Sequence, residues 1–328
     1  MMQRREFITL LGGAAAAWPR AARAQQQTVP VVGLLYPGAP ETSAAYVAGF
    51  RKGLSEAGYD EGRNVTIEYR YGGGQYDRLP ELAADLVRRR VAVIATPGNM
   101  QGSLAAKAAT TTIPVVFSGG VDPVQMGLVA SFNRPGGNVT GVSTMSVELG
   151  PKRLGLVHEL LPAAARFAVL INPEYPQTES IVKDMQAAAV AIGRQIDVLS
   201  AATIREIDAA FAKAAQMRTN ALVVSPDNLF NTRRVQLTTL ASRHGVPTIY
   251  WLREFVEIGG LISYGASETG NFRQVGIYVG RILKGEKPVD LPVMRPTKFE
   301  LVINLQTART LDIEVPPTLL ALADEVID

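Results

Sequence analysis

No cysteine occurs in the 328 residues, which excludes disulfides, thiolate chemistry and cysteine-ligated metal. Histidine is almost as scarce: His158 and His244 are all the chain has, and both fall inside helical patterns, the ordinary setting of a surface histidine. The HExxH, GxSxG and GxxxxGKS/T patterns are missing, which removes the common zinc, serine-hydrolase and P-loop readings. Ser180-Ile181-Val182-Lys183 matches SxxK, but the companion SDN and KTG elements are absent and so short a pattern arises by chance. Gly72-Gly73-Gly74 lacks the spacing and lysine of a phosphate loop and reads as a flexible turn. With no proton-transfer pair and no metal set in view, neither an enzyme nor a cofactor is expected.

Long apolar runs are also lacking. The one near the start, Phe7 to Ala17, is interrupted by Trp18-Pro19-Arg20, short of the roughly 20 residues a membrane helix needs. It follows Arg4-Arg5 and precedes Ala22-Arg23-Ala24, so residues 1–24 read as an export signal, cut after Ala24, with paired arginines of twin-arginine type. The signal holds four arginines and one acid of the 33 basic and 30 acidic side chains, so the formal charge of +3 belongs to it and the mature part is neutral. A neutral chain without long basic runs lacks the footprint of a nucleic-acid or anionic-membrane binder. Arg88-Arg89-Arg90 is the one basic cluster, placed at a helix end where cations offset the helix dipole.

What is present is a regular beat of β-branched runs and amphipathic helices, the mark of a parallel sheet covered on both faces. Strands are expected at 30–35, 65–71, 91–95, 114–117 and 138–143, with helices at 42–57, around Leu79 to Val87, and at 102–109. A second series follows: helix 151–161, strand 167–171, helix 178–192, strand 195–199, helix 204–216, strand 221–225, helix 232–243 and strand 247–250. Two consecutive sets of βα units make an α/β protein of two doubly wound, Rossmann-like lobes. Beyond Gly259 the order loosens into strand 261–264, helix 268–283, a proline-bearing stretch, strand 299–303 and a terminal helical segment, as suits a chain passing between lobes.

Open α/β sheets bind ligands at the carboxyl ends of their strands. In the first lobe those positions carry Tyr36, then Thr96, Gly98 and Asn99, then Ser118, Gly119 and Asp122. Turn chemistry alone explains such residues, because glycine supplies positive φ and Asn or Ser caps helices. The same loops can instead aim backbone N–H groups at a carboxylate. In the second lobe the positions carry Asn172 and Tyr175, Asp227, and Trp251, with Ser143 and Tyr264 ending the strands 138–143 and 261–264. Trp251 fits core packing or ligand stacking, and Asp227, like Glu174, fits either a partner for a ligand ammonium or a helix cap.

Long blocks of the chain, among them HGVPTIYWLREFVEIGGLISYG, YVGRILKGEKPVDLPV, PTKFELVINLQTARTLDIEVPPTLLALADEVI, GRNVTIEYRYGGGQYDRLPELAADLVRRRV and SFNRPGGNVTGVS, closely resemble the ABC-transporter substrate-binding family that includes tryptophan-binding members. The resemblance implies a type I periplasmic-binding-protein fold with a multi-crossing hinge. Its N-terminal lobe would comprise 28–141 plus about 263–288, and its C-terminal lobe 142–262 plus about 298–328. It also implies a monomeric periplasmic receptor that closes on a small solute and delivers it to an inner-membrane ABC permease. The ligand would be an amino acid, aromatic or branched, or a related carboxylate; a sugar or nucleoside, or delivery to a separate membrane sensor, stays open. Many relatives carry a lipid-attachment cysteine, and its absence here implies a freely soluble form with no direct membrane insertion. The ligand-binding residues implied are the loop positions named above, with Thr96, Asn99 and Ser118 contacting from one lobe and Tyr175, Asp227 and Trp251 closing from the other.

Overall fold

The computed structural model describes residues 29–98, 100–175, 177–296 and 298–328. The expected export signal and its cleavage point lie outside the described residues, as does Asn99. Among the described residues the first sheet holds β1 (Val31–Tyr36), β2 (Thr66–Tyr71), β3 (Val93–Thr96), β4 (Val115–Gly119) and β5 (Val139–Ser143), all parallel, in the order β2-β1-β3-β4-β5. The connecting helices are α1 (Pro40–Glu56), α2 (Leu79–Arg88) and α3 (Met100–Ala109). β1 shows the two-residue alternation of a strand covered on both faces. Val32, Leu34 and Tyr36 join a core with Phe50 and Leu54 of α1, whereas Leu35 joins Leu79 and Leu86 of α2.

The second sheet contains β6 (Arg166–Ile171), β7 (Gln195–Ser200), β8 (Ala221–Val224), β9 (Thr248–Tyr250), β10 (Ile262–Gly265), β11 (Glu300–Asn304) and β12 (Glu325–Ile327). Their order is β12-β11-β10-β9-β8-β6-β7, parallel throughout except between β10 and β11. Its helices are α4 (Gly150–Leu160), α5 (Thr178–Ala191), α6 (Ile204–Gln216), α7 (Asn228–Thr232), α8 (Arg234–His244) and α9 (Arg253–Glu257). After β10 comes α10 (Glu268–Leu283), and α11 (Leu305–Thr310) and α12 (Pro317–Leu322) lie between β11 and β12. The helix expected at 232–243 is present as α8, and the short α7, capped by Asp227, precedes it without having been expected. One expectation needs correction. The terminal helical stretch ends in a strand, β12, whose residues Glu325 to Ile327 pair with β11.

The chain passes between the sheets three times. It leaves β5 at Ser143 for α4; it leaves β10 at Gly265 for α10, which packs on α1; and it returns from Met294, bridged to Val142, to β11. Helix α10 approaches α1 backbone to backbone: a Cβ at Gly53 would overlap the Arg273 carbonyl oxygen, and one at Gly276 would overlap that of Phe50. The fully buried Arg153 of α4 ties two crossings together, donating from Nε to the Tyr264 carbonyl at 2.9 Å and from Nη2 to the Ser146 carbonyl at 2.7 Å. Burial pulls its pKa down to about 9, which leaves the guanidinium charged at neutral pH.

Candidate functional site

The carboxyl ends of both sheets face one cavity of about 590 Å3, its open mouth included. From the first sheet Tyr36, Gly98, Met100, Gly119 and Gly120 line it, and Thr144, Ser146 and Val147 come from the first crossing. The second sheet contributes Tyr175, the Pro226–Asn228 turn, Asn231, Trp251 and Leu252, and Glu268 enters at the second crossing.

The acids of this lining are Asp227 and Glu268, and no lysine, arginine or histidine belongs to it. Asp227 caps α7, its Oδ1 accepting from the Leu229 amide at 2.8 Å and from Asn172 Nδ2 at 3.2 Å. Tyr76, in a 3-10 turn at Tyr76–Arg78 after β2, donates its hydroxyl to Asp227 Oδ2 at 3.2 Å, so one bond spans the cleft. Burial raises the Asp227 pKa, and the Asn172, Leu229 and Tyr76 donors oppose that rise. Glu268 is less well served: among the described residues its hydrogen-bond partner is Asn271 Nδ2 at 3.5 Å, and burial, followed by repulsion from Glu254, pushes its pKa up to about 7.

Neutral polar groups complete the lining. The Thr144 and Ser146 hydroxyls share a 2.7 Å hydrogen bond, which uses one of their two protons and leaves the other free to donate. Asn228 Nδ2 and Asn231 Oδ1, a donor and an acceptor, are buried without a protein partner. Buried polar groups are ordinarily satisfied, so unpaired ones in a cavity wall mark where a bound molecule completes the network. The apolar surface is aromatic. Tyr36 meets Tyr71 and Phe272 edge-on at 6.4 and 5.7 Å, and Trp251 leans on Phe255 at 4.9 Å.

Of the loop residues expected from the sequence, Tyr36, Gly98, Gly119, Tyr175, Asp227 and Trp251 line the cavity. Ser118 and Asn172 stand one layer behind: Ser118 Oγ accepts from the Gly98 amide at 2.9 Å, and Asn172 orients Asp227. That bond holds Gly98 at φ +80°, a conformation suited to glycine. The other expected residues among those described are not in the lining. Thr96 is buried against Ser103 at 2.9 Å, Asp122 caps the turn at Val124 and Gln125, the buried Ser143 belongs to β5, and Tyr264 packs on Phe299. Met100, Thr144, Ser146, Val147, Asn231 and Glu268 line the cavity without having been foreseen. Thr144 to Val147 and Glu268 follow β5 and β10, where the chain changes sheets and borders the cleft, so the crossings implied by the family resemblance, rather than any local pattern, were the signal that could have found them.

A family model described as ABC transporter substrate binding protein matches residues 39–327. The chain belongs to this family. The substrate-binding protein is 27% identical over 270 residues to the tyrosine-binding protein of Clostridioides difficile (strain R20291), covering 81% of this chain and 76% of that one. It is similar to a conserved domain protein from Vibrio cholerae, with a TM-score of 0.83 and 26% identity over 91% of this chain and all of that one. A Streptococcus pneumoniae ABC domain in complex with L-Trp shares the fold, with a TM-score of 0.81 and 23% identity over 92% of this chain and 100% of that chain. Among the described residues no helix is long and apolar enough to cross a membrane, and no group of histidines and acids could hold a metal ion.

Proposed function

We propose that this substrate-binding protein is the periplasmic receptor of an ABC importer, capturing an amino acid with an aromatic side chain between two closing lobes and delivering it to an inner-membrane permease. The observation that carries this reading is a single cavity lined from both sheets by the Asp227 carboxylate together with Tyr36, Tyr175 and Trp251. A carboxylate beside aromatic walls, with no basic side chain, suits a ligand ammonium. The free hydroxyl proton of the Thr144–Ser146 pair and the unpaired Asn228 amide supply donors for an α-carboxylate. The tyrosine-binding relative and the L-Trp complex support the same ligand class.

In this reading the lobes turn about the three crossings, and ligand contacts made from both sides stabilise only the closed form, which is what drives closure. Residues 1–24 direct export by the twin-arginine route and are removed after Ala24, and the mature protein acts as a soluble monomer. Binding without conversion is the whole of its chemistry.

A thermal-shift screen of residues 25–328 against amino acids, aromatic acids, nucleosides and sugars, followed by calorimetry on each hit, tests the proposal. An aromatic amino acid should bind at micromolar affinity, about −8 kcal/mol, and be recovered unchanged. Hits confined to sugars or nucleosides, or product formed from a bound compound, would contradict it.

A further inference from the structure

The cavity has a second pole that an α-amino acid backbone leaves unused. Glu268 opens α10, and its carboxylate rests over Gly98, where an added Cβ would come within 3.2 Å of Oε1 and 3.1 Å of the Tyr36 ring. A carboxylate can accept about four hydrogen bonds, and the protein gives this one the 3.5 Å contact with Asn271. The same cavity is lined from the opposite lobe by Asn231, 8% exposed, whose side chain interacts with the Tyr36 and Tyr46 hydroxyls and whose Oδ1 is unpaired. Asn231 lies one helical turn beyond Asp227, its amide donating to the Asp227 carbonyl at 3.0 Å. Four residues of helix advance roughly 6 Å, so the two poles are separated along the cavity rather than superimposed.

The charged and titratable groups around Glu268 do not satisfy it. Tyr36 of β1 and Tyr46 of α1 face the same region, and the Tyr46 hydroxyl is itself unpaired. Glu254 of α9 repels the carboxylate and has an unpaired buried oxygen of its own. Arg234 of α8 acts on Tyr36 and Glu254 but is not part of the lining, and it donates to the Asn231 carbonyl at 3.2 Å. Asp227 adds further negative charge to the cavity and already has its own donors. The Tyr36 and Tyr46 hydroxyls at this end act on the Asn231 side chain, and neither is bonded to Glu268, which leaves that carboxylate with acceptor capacity to spare.

We propose that Glu268 and Asn231 form a specificity pole that accepts hydrogen bonds from the end of the ligand's side chain, selecting amino acids that terminate in a donor over those that terminate in hydrocarbon. The inference rests on the amino-acid reading above and narrows it. A phenol hydroxyl, an indole N–H or a side-chain ammonium satisfies the pole; a bare phenyl ring leaves the half-buried Glu268 carboxylate and the buried Asn231 Oδ1 without a donor. A site built to hydrogen-bond a group discriminates strongly against the analogue that lacks it.

Calorimetry on the mature protein at pH 8 with L-tyrosine, L-tryptophan and L-lysine against L-phenylalanine and L-leucine provides the test. The best donor-ended probe should bind about tenfold or more tightly than L-phenylalanine, and the tyrosine, tryptophan and lysine arms separate a neutral donor from a cationic one. Glu268→Leu should bring that ratio to near unity. The wild-type protein should bind a donor-ended probe more weakly at pH 6 than at pH 8, as Glu268 takes up a proton, and Glu268→Gln, which keeps the shape, should remove that difference. Equal wild-type affinities for L-phenylalanine and the best donor-ended probe would overturn the inference while leaving the amino-acid reading intact, and that result needs no variant to fold. A ratio unchanged in a folded Glu268→Leu protein would overturn it as well. Failure of the wild-type protein to bind any amino acid would remove both readings together.

Discussion

Replacing Tyr76 by Phe deletes one oxygen atom and with it the bond that spans the cleft to Asp227. Hydrogen bonds to a charged acceptor contribute about 1.5–3 kcal/mol. At 3.2 Å this one is long for an O–H donor, and Asp227 retains the Asn172 and Leu229 donors. Both considerations place the loss at the low end, about 1–1.5 kcal/mol. In an open form water would solvate both groups, so the whole loss falls on the closed state. That corresponds to a five- to tenfold shift of the closing equilibrium, and of ligand affinity if the open form predominates without ligand, at about 1.4 kcal/mol per tenfold. Calorimetric titration of wild type and Tyr76→Phe with the same amino acid measures it, and the thermal midpoint of each reports on folding. A folded variant that binds within twofold of wild type would refute the idea that this bond helps hold the lobes together.

Asp227→Asn should keep the α7 cap, since Asn caps as well as Asp, yet weaken binding of an amine-bearing ligand by about 1.5–3 kcal/mol in calorimetry. Glu268 carries a pH signature in the ligand-free protein: its pKa is raised from 4.5 to about 7, so the folded form holds a proton that the unfolded chain has released between those values. Stability should therefore increase as pH falls from about 7 toward 4.5 and level off below that, by up to about 3 kcal/mol before solvent at the cavity mouth is allowed for. Urea denaturation at pH 5 and 7.5 would show the difference, and Glu268→Gln should lose that part of it. Arg153→Ala leaves the Ser146 and Tyr264 carbonyls without their buried donor, an expected loss of about 2–4 kcal/mol in the same assay. Gly276→Ala should cost about 1–3 kcal/mol by forcing α10 away from the Phe50 carbonyl, seen as a lowered thermal midpoint.

Much of the fold was legible because its signals are local. Runs such as Phe167 to Ile171 can be little else than buried strands, and the stripe of Tyr46, Phe50 and Leu54 announces α1. The three passages between sheets came from family resemblance, since nothing local to Ser143 or Gly265 says which sheet the next element joins. The site was legible to the extent that it follows strand ends, as at Tyr36, Asp227 and Trp251. Side-chain direction was not: Thr96 sits where a ligand contact is expected, but its hydroxyl turns to Ser103. Glu268 escaped notice for a different reason. As the first residue of α10 it reads as an acid favourable to the helix dipole, and only the packing of α10 on the first lobe places it against Gly98, with Glu254 of the second lobe within electrostatic reach.

The central claim is that an amino acid lies between the two sheets with its ammonium on Asp227 and the end of its side chain on Glu268. A crystal structure of the mature protein grown with L-tyrosine or L-tryptophan tests it most directly. Ligand density is expected in the cleft, with the ammonium within hydrogen-bond distance of Asp227 and the side-chain donor within that distance of Glu268 or Asn231. An empty cleft, or a ligand turned so that its carboxylate faces Asp227, would contradict it.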